Sequence, residues 1–284
     1  MCQTVSYFCS RRFVGRTGGS PILLIVVSHL IMGTGAIGLL LVLHPRQLPP
    51  VATFAAPLAG ASFFYLVAQW GLFHVLHQVE SSRVAPLLGM KIIVLAVLAV
   101  GLSHQRLHPL QWGAVGLSAT AAWLLNEAGG RLPGRCVAVL AMTIVCYCLS
   151  DLSIGRLVAR LAPAQPSPAF IGAALSYLVC AVAVLPFALR RDLLQLHIWV
   201  LAAPYAAAWF GAMCLLYACF GLIGVVFGNI VQSTRGLMAV IAGWAIAHAG
   251  HTHLEARVGR HAIWRRAAGA VLMMGAVALY LLGQ

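Results

Sequence analysis

Residues 21–43 read PILLIVVSHLIMGTGAIGLLLVL, twenty-three residues without an acid, a lysine or an arginine. A transmembrane helix needs about 20 mainly apolar residues, and this run supplies them. Arg11, Arg12 and Arg16 precede it, and His44-Pro45-Arg46 through Pro49-Pro50 stop it. A cleaved signal peptide has an apolar core of only about 7–15 residues, so the run predicts a helix that stays in the membrane.

Eight further stretches of the same kind follow, at 52–77, 84–103, 111–128, 135–160, 169–190, 197–222, 231–249 and 264–282. Short connections rich in Pro, Gly and Arg separate them, as at His104–Pro109, Gly129–Gly134, Pro163–Pro168 and Arg190-Arg191-Asp192. None alternates with the period of a barrel strand. Composition agrees: 62% of the 284 residues are hydrophobic and 8% are charged, against about 25% charged in a soluble domain. The mean hydropathy is +0.94. So little charge cannot cover a water-facing surface, and so much apolar surface excludes a disordered chain. The expected fold class is an all-α integral membrane bundle, with about nine transmembrane helices plus an N-terminal half-helix.

The charge is lopsided, with 18 Lys+Arg against 5 Asp+Glu and a net +13. The basic residues come singly or in twos between apolar runs, as membrane loops do under the positive-inside rule. No basic stripe is visible, so nucleic acid is not an expected partner. Sorting loops by alternation puts twelve arginines on one side: 11, 12, 16, 83, 131, 135, 190, 191, 257, 260, 265 and 266. Five fall on the other, Arg46, Arg106, Arg156, Arg160 and Arg235. That count places residues 1–20 in the cytoplasm and the C-terminus outside. The eight cysteines sit mostly in apolar runs without a CxxC pair and read as small core residues.

An internal repeat organises the chain. Val79-Glu80-Ser81-Ser82-Arg83 resembles Val231-Gln232-Ser233-Thr234-Arg235, a shift of 231 − 79 = 152 that also maps Tyr65 onto Tyr217 and Trp112 onto Trp264. Tyr7, Ser10 and Val14-Gly15-Arg16 map onto Tyr147, Ser150 and Ile154-Gly155-Arg156 at a shift of 140. Two units are expected, 1–128 and 133–284, the first with its opening helix cut short, so that either the start lies upstream of Met1 or half a helix was lost. A complete unit of five helices has an odd number, so two copies lie inverted in the membrane and share a cavity near the midplane, as in many secondary transporters.

The layout resembles the drug/metabolite transporter (DMT) superfamily, its EamA-like branch. The best local match is Val79 to Leu124, with Ser82, Pro86, Arg106-Leu107 and Gln111-Trp112-Gly113. The resemblance implies ten helices in two inverted five-helix repeats, a small-molecule solute, and a cytoplasmic C-terminus, the reverse of the charge count. The chain departs from the family at Gly101-Leu102-Ser103-His104, where a Gly-Glu is frequent, and at the short first helix.

Ionisable groups within membrane spans are expensive and therefore functional candidates. On one continuous helix Arg83 lies at about −60° and Lys91 at about +20° around the axis from Glu80, so the three share a face, with Lys91 about 16 Å beyond Glu80. Together with Ser81 they outline a polar stripe whose cations suit an anionic or zwitterionic solute. The alternative is that Arg83 snorkels to the interface and Lys91 bonds a neighbouring carbonyl. In the second copy the stripe becomes Gln232, Ser233, Arg235 and Gly243. Asp151 follows a polar group, Tyr147–Ser150, and a carboxylate in a lipid-embedded helix suits proton exchange because desolvation favours its protonated form. Its plainer role is a partner for Arg156. Tyr65 and Tyr217, with Trp70 and Trp209, are cavity candidates by analogy; packing and lipid-facing roles compete.

His248, His251, His253 and Glu255 cluster after a span and His74 and His77 share a face, so a metal-cation permease is the alternative reading. The chain carries no phosphate loop, nucleophile elbow or HExxH, and neither an enzyme nor a cofactor is expected. The glycines at Gly33-Thr34-Gly35 and Gly224–Gly228 would let helices approach closely. The expected function is a secondary transporter in the inner or plasma membrane, exporting a small metabolite, amino acid or drug by alternating access, with Glu80 or Asp151 as proton carrier. Its expected partners are the solute, the lipid bilayer and, as a candidate homodimer, a second copy of the chain. A non-transporting relic is the reading that the short first helix favours.

Overall fold

A computed structural model describes residues 2–17, 21–45, 47–79, 84, 88, 91–103, 107–126, 134–189, 195–232 and 260–283. Among them every regular element is helical, as lipid requires of backbone that must satisfy its own hydrogen bonds. In chain order these are α1 (Cys2–Thr17), α2 (Pro21–Leu43), α3 (Val51–Gln78), α4 (Lys91–Ser103), α5 (Pro109–Asn126), α6 (Gly134–Leu161), α7 (Pro168–Val184), α8 (Leu196–Ile223) and α9 (Arg260–Leu282). Among the described residues, five helical stretches are long and apolar enough to cross a membrane: Ile22–Leu43, Val51–Leu76, Gly134–Leu161, Pro168–Ala188 and Leu196–Ile223. Lys91–Leu102 and Val271–Leu282 are shorter apolar helices. Most of the span expected at 231–249 lies outside the described residues.

Three boundaries differ from the sequence reading, each for a local reason. The expected half-helix at 1–10 continues to Thr17, whose hydroxyl donates to the Phe13 carbonyl at 2.8 Å and closes the last turn. α7 tightens after Val184 into a 3-10 turn, Leu185–Leu189, because Pro186 has no N–H to continue an α-helix. The third concerns Gly224, expected at a close helix contact. It has φ +79°, a Cβ there would meet nothing within 4 Å, and its N–H caps the Phe220 carbonyl at 3.2 Å. Helix resumes at 225, so residues 225–232 start six residues before the expected span. Glycine alone adopts that φ without strain, so here it breaks a helix and resumes it.

Two compact units are present, and each draws on both halves of the chain. The first joins Cys2–His74 to Leu149–Val225; the second joins Val75–Cys148 to Val226–Gln284. In the first unit α2 packs on α7 and α8, and α1 on α8. Close approach is built from small residues, as membrane helices need where lipid removes the hydrophobic drive. A side chain on Gly33 would overlap the Ala181 methyl, one on Gly155 would overlap Val225, and one on Gly60 would meet the Ser153 hydroxyl at 2.7 Å. Pro21 and Pro168 open α2 and α7, while Pro57 and Pro204 sit inside α3 and α8; both pairs are 147 residues apart.

In the second unit α5 packs along α9. Positions that run upward in α5 meet positions that run downward in α9. Leu110 and Gln111 face Gly283, Gly113 faces Leu279, Leu117 faces Gly275, and Ala121 shares a buried cluster with Met273. The two helices are therefore antiparallel. The Ser118 hydroxyl adds a 3.4 Å hydrogen bond to the Met273 sulfur. Ala121 and Met273 lie 152 residues apart, the offset of the sequence repeat, so the contact is centred on a pair of mutual counterparts. In a background lacking the native cysteines, Ala121→Cys with Met273→Cys is expected to cross-link on mild oxidation, detected as a joined peptide by mass spectrometry. Ala121→Cys with Trp264→Cys, one end of α9 away, should not.

Candidate functional site

The interior of the first unit holds a polar and aromatic cluster. α3 contributes Ser62, Tyr65, Gln69 and Phe73, spaced three or four residues apart and so on one helix face. α7 contributes Ser176, Tyr177 and Cys180, and α8 contributes Tyr205 and Trp209 in the same register. α2 adds His29, in the middle of its charge-free run. All are buried, with His29 and Tyr205 at 0% exposure and Tyr65 at 4%.

Their polar atoms bond across helices. The Gln69 amide donates to the Tyr205 hydroxyl at 2.8 Å, the Trp209 indole N–H to the Tyr177 hydroxyl at 2.9 Å, and the Ser62 hydroxyl to the Ser176 carbonyl at 3.2 Å. Rings fill the space between. Tyr65 lies 5.6 Å from His29, 5.5 Å edge-on from Tyr177 and 6.4 Å from Trp209. His29 stacks on Tyr177 at 6.1 Å, and Tyr205 on Trp209 at 5.9 Å. His29 Nδ1 is 2.7 Å from the Ile25 carbonyl. A carbonyl only accepts, so that contact places the ring proton on Nδ1 and makes Nε2 an acceptor. Nε2 has no hydrogen-bond partner among the described residues.

Asp151 is 3% exposed in the same unit, one residue after Ser150, whose hydroxyl donates to the Ala61 carbonyl at 2.9 Å. It acts electrostatically on Tyr217, itself 2% exposed. Tyr65 and Trp209 thus meet in one cluster, while Trp70 is 44% exposed, stacks on His74 at 5.7 Å and has no place in it. Tyr65 and Tyr217, paired in the sequence at a shift of 152, lie on α3 and α8, whose internal prolines, Pro57 and Pro204, are 147 residues apart.

In the second unit Lys91 opens α4 and is 4% exposed. It donates to the Gln232 side-chain oxygen at 2.7 Å and lies 5.8 Å over the Tyr147 ring. Glu80, Ser81, Arg83, Ser233 and Arg235 lie outside the described residues, as do His248, His251, His253 and Glu255. Among the described residues no three His, Cys, Asp or Glu groups converge on a metal position. A separate concavity of about 770 Å³ lies between α1 and α8, walled by Leu196, Val200, Leu201 and Pro204, with Cys9, Arg12 and His197 at its edge.

Sequence reasoning misses His29, Gln69, Tyr177 and Tyr205. A signal exists for the first. An imidazole amid an uncharged span meets the same criterion that singles out Lys91, but a search for histidines lying two or more together steps over a solitary one.

Residues 2–127 match the EamA-like transporter family. A solved crystal structure described only as that of a protein is 15% identical with a TM-score of 0.66, over 99% of this chain and 95% of its own. At that identity the likeness concerns the fold. No curated protein matches the sequence.

Proposed function

Because residues 2–127 match the EamA-like transporter family, which belongs to the DMT superfamily, we propose that this chain is a transporter of that kind and exports a small metabolite, amino acid or drug by alternating access. The observation that carries this reading is the antiparallel packing of α5 on α9 about Ala121 and Met273. Two copies of one unit, inverted across an axis in the membrane plane, place equivalent helices antiparallel and bring counterparts together at the axis. The paired prolines 147 residues apart support the same duplication, into 1–128 and 133–284. So does the composition of the compact units, each built from corresponding parts of both halves.

Alternating access then rocks one body against the other around a polar interior. The buried groups available for a solute are the aromatic cluster with His29 and Asp151 in the first unit and Lys91 in the second. Proton exchange through Asp151 or Glu80 is the coupling we propose, since a buried carboxylate can carry a proton without leaving an uncompensated charge. The inner or plasma membrane is the proposed location.

The test is growth of an overexpressing strain on a panel of toxic metabolites, amino-acid analogues and drugs. Resistance to at least one solute is expected, at about tenfold lower intracellular accumulation. Asp151→Asn together with Glu80→Gln should remove its dependence on the proton gradient. Unchanged accumulation across the panel would overturn the transport reading, and gradient-driven export by the double variant would overturn the coupling.

A further inference from the structure

We infer that the His29 cluster is a subsite for the ammonium end of an organic cation or amine, with His29 Nε2 as the accepting atom and the rings of Tyr65, Tyr177 and Trp209 as its walls. The inference rests on the transport reading for the motion that opens this cluster, which is sealed in the present conformation. It deepens that reading by naming the chemistry of the solute.

Leaving a buried acceptor without a donor costs the desolvation of that group with nothing to offset it, and such groups call for a functional reason. His29 is fully buried, and the hydrogen bond from its Nδ1 to the Ile25 carbonyl fixes which nitrogen is left over. That nitrogen offers a lone pair. What it lacks is a donor, and an ammonium supplies three.

The surroundings favour the same ligand. Ring faces carry negative charge density and attract cations within about 6 Å, and His29 has Tyr65 and Tyr177 at 5.6 and 6.1 Å. The tyrosines are held in place by their own bonds. Trp209 donates to Tyr177 and Gln69 to Tyr205, so these rings cannot turn without breaking a buried hydrogen bond. A carboxylate ligand would meet π faces and an acceptor nitrogen. An amine with an apolar body meets an acceptor for its protons and cation-binding rings.

The experiment uses the full chain in lipid nanodiscs and equilibrium binding of three labelled probes of similar size: 2-phenylethylammonium, 2-phenylethanol and 3-phenylpropionate. The wild type is expected to bind the ammonium at least tenfold more tightly than the carboxylate, with the alcohol between them. His29→Phe, which keeps a ring against the tyrosines, should weaken ammonium binding at least tenfold. His29→Gln, whose amide oxygen restores an acceptor, should recover most of it. The probe series on the wild type needs no variant to fold.

Absent ammonium binding, a preference for the carboxylate, or equal affinity in wild type and His29→Phe would each overturn the inference; the last would mark the nitrogen as a water site. Export indifferent to His29→Phe would sink this subsite and leave transport standing. Ammonium binding by a chain that exports nothing would do the reverse.

Discussion

Replacing Gly33 with valine is expected to lower the thermal unfolding midpoint by about 5–10 °C, with a matching loss of monodisperse protein. The first atom of any side chain at this position would overlap the Ala181 methyl on α7, and the Ala181 Cα and the Tyr177 carbonyl lie 3.9 Å away. A methyl and a helix backbone cannot swing aside as a long side chain can, so α2 and α7 must separate. Overpacking of this kind costs roughly 1–3 kcal/mol and more where nothing yields; for a protein of this size each kcal/mol is worth about 2–4 °C. The separation also disturbs the His29 stack on Tyr177, because both side chains come from these two helices. Gly38→Val is the control. It lies on the same helix with nothing within 4 Å, and should shift the midpoint by less than about 2 °C. Equal shifts at the two glycines would mean that α2 and α7 are not in contact as described.

The run Pro21–Leu43 is legible because lipid imposes one rule on every residue of a span, and the helix occupies those residues. Arg190-Arg191-Asp192 marks a connection for the same reason. Gly224 shows the limit. A glycine within an apolar stretch reads equally as a contact surface or a break, and only its φ of +79° decides between them. The repeat is legible in short motifs, but its offset is not. Matching tyrosines give 152 for α3 and α8, where matching prolines within intact helices give 147. The site is less legible than the fold. Tyr177 and Tyr205 are single aromatic residues in apolar helices, and nothing in their local sequence separates a ring in a buried polar cluster from one facing lipid, as the exposed Trp70 illustrates. What joins them is packing between α7 and α8, which no spacing along the chain records.

Lys91→Met is expected to weaken solute affinity in the transport assay by about tenfold to a hundredfold while leaving the bundle folded. Removing the ammonium takes away a charge-assisted hydrogen bond, worth about 1.5–3 kcal/mol wherever the cation meets a solute, and each 1.4 kcal/mol is about tenfold in affinity. Methionine keeps the unbranched length of the stem, so packing against Tyr147 survives. Burying an ammonium in the first turn of an apolar helix is expensive, and the Gln232 oxygen at 2.7 Å with the Tyr147 ring at 5.8 Å returns part of that cost. Gln232→Glu separates the two roles Lys91 could have. If the ammonium only anchors α4, an acidic partner strengthens the anchor, raising the unfolding midpoint and leaving transport intact. If it receives the solute, the new carboxylate competes for it, and affinity falls as it does in Lys91→Met. Lys91→Arg, which keeps the charge, should retain measurable transport. Wild-type transport by Lys91→Met would remove Lys91 from the solute path, and the polar interior that serves transport would then be the His29 cluster with Asp151.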